Sequence, residues 1–187
     1  MHSNYNPMQT SGMPLAEKLK NMAWKFTYVL FFRFSPSRTG IFRKWRVFLL
    51  RLFGARISYK ASIHPTAKID YPWKLTMGDL SSLGENSWIY CLDYISIGEK
   101  TCIGKEAYIL TGSHDIASLS FDLVTKPVKI GSGVWVATGS YVLPGITLAD
   151  MTVVAARSCV IRSTDEYDVV GGNPAKFIKK RVIADNA

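Results

Sequence analysis

Cysteine and histidine are scarce in this chain of 187 residues, which contains three of each. The cysteines form no CxxC pair and show no metal-ligand spacing, and no secretory signal is recognisable. A disulfide framework is therefore not expected, and the thiols should be reduced, as in a cytosolic protein. The histidines include no close pair, which disfavours a zinc enzyme with three histidine ligands. The six residues are Cys91, Cys102, Cys159, His2, His64 and His114.

The chain also lacks an uninterrupted apolar run of the about 18 residues that a transmembrane helix needs. Acidic residues are almost missing from residues 1–56, where ten lysines and arginines face a single anion, Glu17. Residues 57–187 hold 13 cations and 13 anions, so the whole net charge of +9 belongs to the first segment. A neutral body argues against a nucleic-acid-binding protein, and the basic segment needs an explanation of its own.

The basic segment, residues 14–56, is expected to be helical after a flexible start at residues 1–13. Apolar residues recur at three- and four-residue steps over residues 15–34, and a second amphipathic run covers residues 41–53. Gly54 is placed to end this second helix. On the side opposite to the apolar residues of the second run lie Arg43, Lys44, Arg46 and Arg51.

Two interpretations of the basic segment stay open, and they do not exclude each other. A helical cap would cover the open end of a solenoid, which solenoid proteins need. An interfacial anchor would place arginine and lysine at the headgroups of an anionic membrane and insert aromatic side chains. The aromatic candidates are Trp24, Phe31, Phe32, Trp45 and Phe48.

A strict period of six governs residues 130–165. Every sixth residue there is aliphatic, and the fifth residue of each hexad is small or β-branched. Helices repeat at 3.6 residues and strands at two, so a period of six belongs to neither alone. It is typical of an all-β fold, the left-handed parallel β-helix, in which each short face of a coil takes six residues. The aliphatic positions are Ile130, Val136, Val142, Leu148, Val154 and Val160.

The same period begins at Ile57, so the β-helix is expected to span residues 57–170. Breaks at residues 71–73 and 92–94 lengthen the interval to eight, and the second is expected to bulge outward. After Asp165 the register is expected to be lost, and residues 171–187 to form a turn and a basic tail. The flat outer faces of such a solenoid pack against copies of themselves, so a homotrimer is expected.

The longest break separates Ile109 from Ile130, an interval of 21 residues. A loop is therefore expected to leave the coil at residues 115–127, after Ser113 has taken the small position of its hexad. Long loops on regular scaffolds are commonly functional. His114 takes the sixth, outward position at the base of this loop, where an exposed structural histidine and a catalytic base fit equally well.

Four segments carry a resemblance to a known family. They are YPWKLTMGD at residues 71–79, LTGSHD at 110–115, FDLVTKPV at 121–128 and GNPAK at 172–176. With them, the chain from about Trp24 to Arg181 resembles the colanic acid biosynthesis acetyltransferases. These are hexapeptide-repeat O-acyltransferases, with galactoside and maltose acetyltransferases as relatives. The segment around His114 is the most specific part, whereas the hexads alone mark only the superfamily.

The resemblance implies transfer of an acetyl group from acetyl-CoA to a sugar hydroxyl, with His114 as general base and no metal. A sugar hydroxyl is a poor nucleophile until its proton is removed, and an imidazole suits that task at neutral pH. The resemblance also implies Asp93, Cys91 and Asp115 at the acceptor. Cys91 is a departure, because the family commonly has asparagine there.

For coenzyme A, the resemblance implies a groove along the last coils. Small residues would keep its wall thin, so that the pantetheine arm can bond to backbone groups. Arg162, Lys176 and Lys179 would supply cations for the phosphates. The implied set is Trp135, Ala137, Thr138, Ala156, Ile161, Arg162, Lys176 and Lys179.

A different class of function fits the same fold: a non-catalytic β-helix scaffold in a membrane-associated glycan-synthesis complex. Such a protein would use neither His114 nor the GNPAK segment. The enzyme interpretation expects a sugar or a lipid-linked oligosaccharide as acceptor, in exopolysaccharide or other cell-surface glycan biosynthesis. It places the protein in the cytoplasm, or peripherally at the inner face of the cell membrane through residues 14–56.

Overall fold

The computed structural model describes residues 14–36 and 40–183. Helix α1 spans Leu15–Thr27 and continues through a π-helical turn, Tyr28–Phe32, and helix α2 spans Gly40–Leu52. Both helices lie where the sequence predicted them, and Gly54 follows α2 with a φ of +101°, a conformation that favours glycine. The predicted flexible start at residues 1–13, with His2, lies outside the described residues.

The rest of the described chain winds into a left-handed parallel β-helix, as the period of six predicted. Apart from β10, β11 and β19, which pair antiparallel, successive strands are distributed over three parallel sheets, and each full coil contributes one strand to each sheet. In chain order the strands are β1 (Arg56–Ile57), β2 (Ser62–Ile63), β3 (Lys68–Asp70), β4 (Leu75–Met77), β5 (Ser82–Leu83), β6 (Trp88–Tyr90), β7 (Ile95–Ile97), β8 (Cys102–Ile103), β9 (Tyr108–Leu110), β10 (Gly112–His114), β11 (Leu123–Thr125), β12 (Val128–Ile130), β13 (Trp135–Val136), β14 (Tyr141–Val142), β15 (Thr147–Leu148), β16 (Val153–Val154), β17 (Cys159–Val160), β18 (Asp168–Gly172) and β19 (Ala175–Lys180). The first sheet has the order β1-β4-β7-β12-β15, the second β19-β18-β16-β13-β8-β5-β2 and the third β17-β14-β9-β6-β3.

The aliphatic residues at the predicted six-residue interval form three columns inside the solenoid. In the first sheet, for example, Ile57 pairs with Met77, Met77 with Ile97, and Ile97 with Ile130. The side chains of these columns are almost fully buried. Burial of one such side chain stabilises the fold by about 1.5–3 kcal/mol, so the repeat itself constitutes the core.

Hydroxyl side chains at the corners complete the core by bonding to backbone carbonyls. Ser81 donates to the carbonyl of Gly78 over 2.7 Å, and Ser140 to that of Ala155 over 2.8 Å. At the third coil the expectation was wrong: Ser113 is exposed, and Thr111 is buried in its place. The chain turns outward after β9, so the residue that still faces the interior comes two positions earlier.

The end of the solenoid follows the expectation in part. The six-residue interval ends after Asp165 as expected, since Val170 follows Val160 by ten residues, but β18 still pairs in parallel with β16 and Val170 extends the second column. The chain then reverses at residues 173–174, and β19 runs antiparallel to β18. The expected turn and basic tail are thus present, and the tail forms a strand that closes the last coil on the second sheet.

The loop expected at residues 115–127 is largely a β-hairpin. Strand β10 pairs antiparallel with β11, and His114 lies opposite Leu123. Gly112 begins this hairpin against the bulge at residues 92–94, where a Cβ on Gly112 would lie 2.5 Å from Leu92 Cδ1. Glycine thus allows the hairpin to leave the coil close to that bulge.

The two helices pack against the first coil, α2 against β1 and β2. Trp24 donates from Nε1 to the carbonyl of Ile69 over 2.7 Å, and Arg46 donates from Nε to that of Ile63 over 2.7 Å. The apolar stripes of both helices face away from the β-helix, with Ile41 81% exposed. Neither described helix combines the length and the hydropathy that crossing a bilayer requires.

Candidate active site

His114 ends strand β10 at the base of the hairpin, and its side chain is exposed. Its ring stacks on Phe121, with ring centroids 4.3 Å apart and planes at 8°. Its Nδ1 lies 2.8 Å from the carbonyl oxygen of Phe121. A carbonyl can only accept, so this contact assigns the proton to Nδ1 and leaves the lone pair of the neutral ring on Nε2. The hairpin therefore fixes both the plane and the tautomer of His114.

Asp115, predicted at the acceptor, directs its carboxylate into its own turn. Oδ1 accepts from the backbone N–H of Ala117 over 2.9 Å, and the Asp115 N–H donates to the carbonyl of Asp122 over 2.8 Å. The group that orients His114 is thus the Phe121 carbonyl. Sequence reasoning missed it because a backbone carbonyl has no residue-type signature.

The same turn holds a second carboxylate in place. Asp122 accepts from Ser118 over 2.6 Å and from Ser120 over 2.8 Å. These hydroxyl donors stabilise the ionised form and lower the pKa of Asp122 below its ordinary value. The hairpin tip that carries Phe121 is therefore stabilised by hydrogen bonds to two carboxylates, Asp115 and Asp122.

Asp93 lies beside the hairpin base, in the bulge that the sequence predicted. Its backbone N–H donates to Thr111 Oγ1 over 2.9 Å, three residues before His114. Its Oδ1 accepts from the Tyr94 N–H over 2.7 Å, and the residue is partly exposed. The bulge and the hairpin are thus joined through Thr111, which itself donates to the carbonyl of Tyr90 over 2.7 Å.

The prediction that Cys91 contacts the acceptor does not fit its position. The Cys91 side chain is fully buried in the core, and its burial raises the pKa of the thiol well above the ordinary value. It occupies the position that Thr111 occupies one coil later, because β6 and β9 are paired in register. The Cys91 side chain therefore packs in the core of the solenoid, where an acceptor cannot contact it and a thiolate is disfavoured.

The residues implied for coenzyme A fall into two groups. In the first, Trp135 projects from β13 and is half exposed, and Ala137 and Thr138 follow it at the corner. Ala156 lies at the equivalent corner of the next coil, where the Arg157 N–H donates to the carbonyl of Thr138 over 2.9 Å. These four residues form a low, partly apolar wall over two successive coils.

The second group lies at the last coil, between β17 and β19. Ile161, Arg162 and Lys176 line one cavity of about 330 Å³. Lys179 lies further along β19, opposite Val169. Within residues 14–36 and 40–183, no ion pair involves Arg162, Lys176 or Lys179. Their charges are available to a phosphate.

A larger groove, of about 510 Å³, lies between α1 and the outer face of the third sheet. Trp88 and Tyr108 line it from the sheet, and Tyr28 and Arg33 from the helical segment. Trp88 donates from Nε1 to Asp70 over 2.6 Å, which fixes the indole in the groove wall. Sequence reasoning missed this groove because segments far apart in the chain build it. The available signal was an aromatic residue directly before the inward aliphatic on three successive strands of the third sheet, β6, β9 and β14.

The comparisons with known proteins agree with this architecture. No protein-family model matches the chain. It is 43% identical over 164 residues to WcaF of Escherichia coli (strain K12), which is assigned as a colanic acid biosynthesis acetyltransferase, and the match covers 88% of each chain. The chain belongs to the colanic acid biosynthesis acetyltransferase family. Its fold is also that of a maltose O-acetyltransferase from Clostridium difficile 630, with a TM-score of 0.78 at 24% identity over 89% of each chain.

A galactoside acetyltransferase in complex with coenzyme A has the same fold, with a TM-score of 0.80 at 20% identity. The match covers 91% of this chain and 84% of that one. Family membership makes the chain a hexapeptide-repeat acetyltransferase, and it disfavours the non-catalytic scaffold.

Proposed function

We propose that the protein transfers an acetyl group from acetyl-CoA to a sugar hydroxyl in exopolysaccharide or other cell-surface glycan biosynthesis, with His114 as general base. The observation that carries this proposal is the contact between His114 Nδ1 and the Phe121 carbonyl. It leaves Nε2 able to accept a proton from a hydroxyl group. The homology to an acetyltransferase assigned to colanic acid biosynthesis supports the glycan context.

The reaction is a direct transfer within a ternary complex. Nε2 of His114 accepts the hydroxyl proton while the sugar oxygen attacks the thioester carbonyl carbon. The resulting oxyanion accepts hydrogen bonds from backbone N–H groups, and the carbon–sulfur bond then breaks. His114 returns the proton to the departing thiolate, which leaves as free coenzyme A. The buried, protonated Cys91 cannot take part as a nucleophile.

Coenzyme A would bind along the last coils. The wall formed by Trp135, Ala137, Thr138 and Ala156 suits the pantetheine arm, because three of its four side chains are small and leave room for it. Arg162, Lys176 and Lys179 suit the phosphates, since they are exposed and form no ion pair in the described ranges. No metal is required for any of these steps.

The acceptor would be a sugar or a lipid-linked oligosaccharide bound near the base of the hairpin. Asp93, whose backbone N–H bonds to Thr111, supplies a partly exposed carboxylate in the bulge, and a carboxylate is well suited to accept bonds from sugar hydroxyls. Flat outer sheet faces support a homotrimer in which copies pack side by side. The basic segment supports a cytoplasmic protein held peripherally at the inner face of the membrane through residues 14–56.

The test is thiol release from acetyl-CoA with a panel of candidate sugars. We expect His114→Ala to lower the rate by about 10²–10⁴-fold, which is the usual contribution of a positioned general base. His64→Ala is the matched control, because His64 bonds to Thr66 on the first coil and has no role in the mechanism. Full activity in a folded His114→Ala protein would overturn the assignment of the base.

A further inference from the structure

Exposed hydrophobic side chains are concentrated on the two helices. Residues 14–36 and 40–56 carry twelve of the 27 large hydrophobic side chains that are exposed in the described part of the chain. Scattered exposed apolar residues are ordinary, whereas a contiguous patch marks a binding surface. We call these twelve the outer helix face. They are Leu15, Leu19, Met22, Phe26, Val29, Leu30, Phe31, Phe34, Ile41, Trp45, Phe48 and Leu52.

The outer helix face has the same spacing on both helices. On α1 its residues begin at residue 15 and follow at intervals of four, three and four residues. On α2 they begin at residue 41 and follow at the same intervals. Each helix therefore presents one apolar stripe. Trp45 joins them, since it donates from Nε1 to the carbonyl of Phe31 over 3.0 Å and stacks on Phe48 with ring centroids 5.7 Å apart.

Buried polar contacts fix the orientation of these helices. On α1, Trp24 is 1% exposed and bonds to the Ile69 carbonyl. On α2, Arg46 is equally buried and donates to Ile63, Ser35 and Pro36. Rotating either stripe inward would break these bonds and leave buried polar groups unpaired. The apolar stripes are therefore held outward by the packing.

Cations accompany the outer helix face. Lys18, Lys25 and Lys44 are exposed on the same two helices. The one anion of the segment, Glu17, lies 3.5 Å from Lys74 on the β-helix, so it does not offset them. A second copy of this chain would bring two cationic sets together, which opposes self-association through this face. Apolar stripes edged by cations complement the acyl chains and headgroups of anionic lipids.

We infer that the outer helix face docks on an anionic lipid bilayer, with both helices lying in the interface and the β-helix projecting away from it. This inference rests on the proposed peripheral location and specifies the surface that makes the contact. Neighbouring strands lie about 4.8 Å apart. His114, which follows the third coil, is thus on the order of 10 Å along the solenoid axis from the first coil, within reach of a sugar attached to a lipid.

Co-sedimentation of the full chain with vesicles tests this inference. The vesicles contain phosphatidylcholine with phosphatidylglycerol, or phosphatidylcholine alone. We expect binding to the anionic vesicles that weakens at high salt. The triple variant Leu19→Ser, Phe26→Ser, Phe48→Ser should bind at least about tenfold more weakly. Each apolar side chain that is buried in the bilayer is expected to contribute more than about a tenfold change in the binding constant.

The matched control changes three exposed apolar residues outside the helices, Leu80→Ser, Val182→Ser and Ile183→Ser, and should bind as the wild type does. Unchanged binding of the triple variant, no binding of the wild type, or equal binding to neutral vesicles would each overturn the inference. A fall in oligomer mass in the triple variant, without vesicle binding by the wild type, would assign the face to a second copy instead. Thiol release with a soluble sugar is measured in parallel, so failure of docking is distinguishable from failure of the proposed reaction.

Discussion

The β-helix and the helical segment use their apolar residues in opposite ways. In the β-helix, aliphatic residues at six-residue intervals face inward, and the body from residue 57 onward is electrically neutral. In the helices, the regular apolar stripe faces outward, and the buried anchors are a tryptophan and an arginine that bond to backbone carbonyls. Periodicity thus identifies a face in both regions, but only in the closed coil does it also determine where that face points.

The largest contrast is expected between two isoleucines. Ile103 is fully buried in the second column, whereas Ile41 is 81% exposed on α2. We expect Ile103→Ala to lower the free energy of unfolding by about 2–5 kcal/mol, because the core would retain a cavity. Ile41→Ala should change it by less than about 0.5 kcal/mol. Urea denaturation at one fixed protein concentration measures both, and equal losses would show that the stripe on α2 is packed after all.

Two tryptophans give a smaller contrast within the helical segment. Trp24→Phe removes a buried bond to the Ile69 carbonyl and should cost about 1–3 kcal/mol of unfolding free energy. Trp45→Phe removes an exposed bond to the Phe31 carbonyl, which water can replace, and should cost less than about 1 kcal/mol. The same denaturation measurement applies. A larger loss for Trp45→Phe would contradict the assignment of Trp24 as the anchor.

Asp122 provides the smallest expected effect. Its pKa is lowered by Ser118 and Ser120, so its contribution to hairpin order is present above the ordinary aspartate pKa of about 3.9 and is lost as the pH falls through the lowered value. We expect Ser118→Ala with Ser120→Ala to raise this pKa towards its ordinary value. Carboxyl carbon chemical shifts followed through a pH titration measure it. An unchanged pKa would mean that the serine hydroxyls do not hold the carboxylate.

The sequence was sufficient to predict the solenoid, because each aliphatic residue of a hexad has only one interior to face. It was also sufficient to place His114 at the point where the chain leaves the coil. It could not predict that α1 and α2 turn their stripes outward, since an amphipathic pattern does not say which surface it meets. That outcome depends on Trp24 and Arg46, whose partners are carbonyls on another element.

The other features that the sequence did not predict also depend on how separate elements pack together. The Phe121 carbonyl that orients His114 and the pairing of β10 with β11 depend on tertiary geometry, which residue types do not encode. The family resemblance implied Cys91 at the acceptor, yet its even interval from Ile89 turns it into the core. The groove beside Trp88 is assembled from the helical segment and the third sheet, so no single stretch of sequence reveals it.

One experiment tests the central claim that the β-helix carries out the chemistry while the helices provide the docking surface. It measures thiol release with a soluble sugar and binding to anionic vesicles on the same preparations of two variants. We predict that His114→Ala loses activity and keeps vesicle binding, whereas Leu19→Ser, Phe26→Ser, Phe48→Ser keeps activity and loses binding. If both properties fell together in either folded variant, the division of roles between the two regions would be wrong.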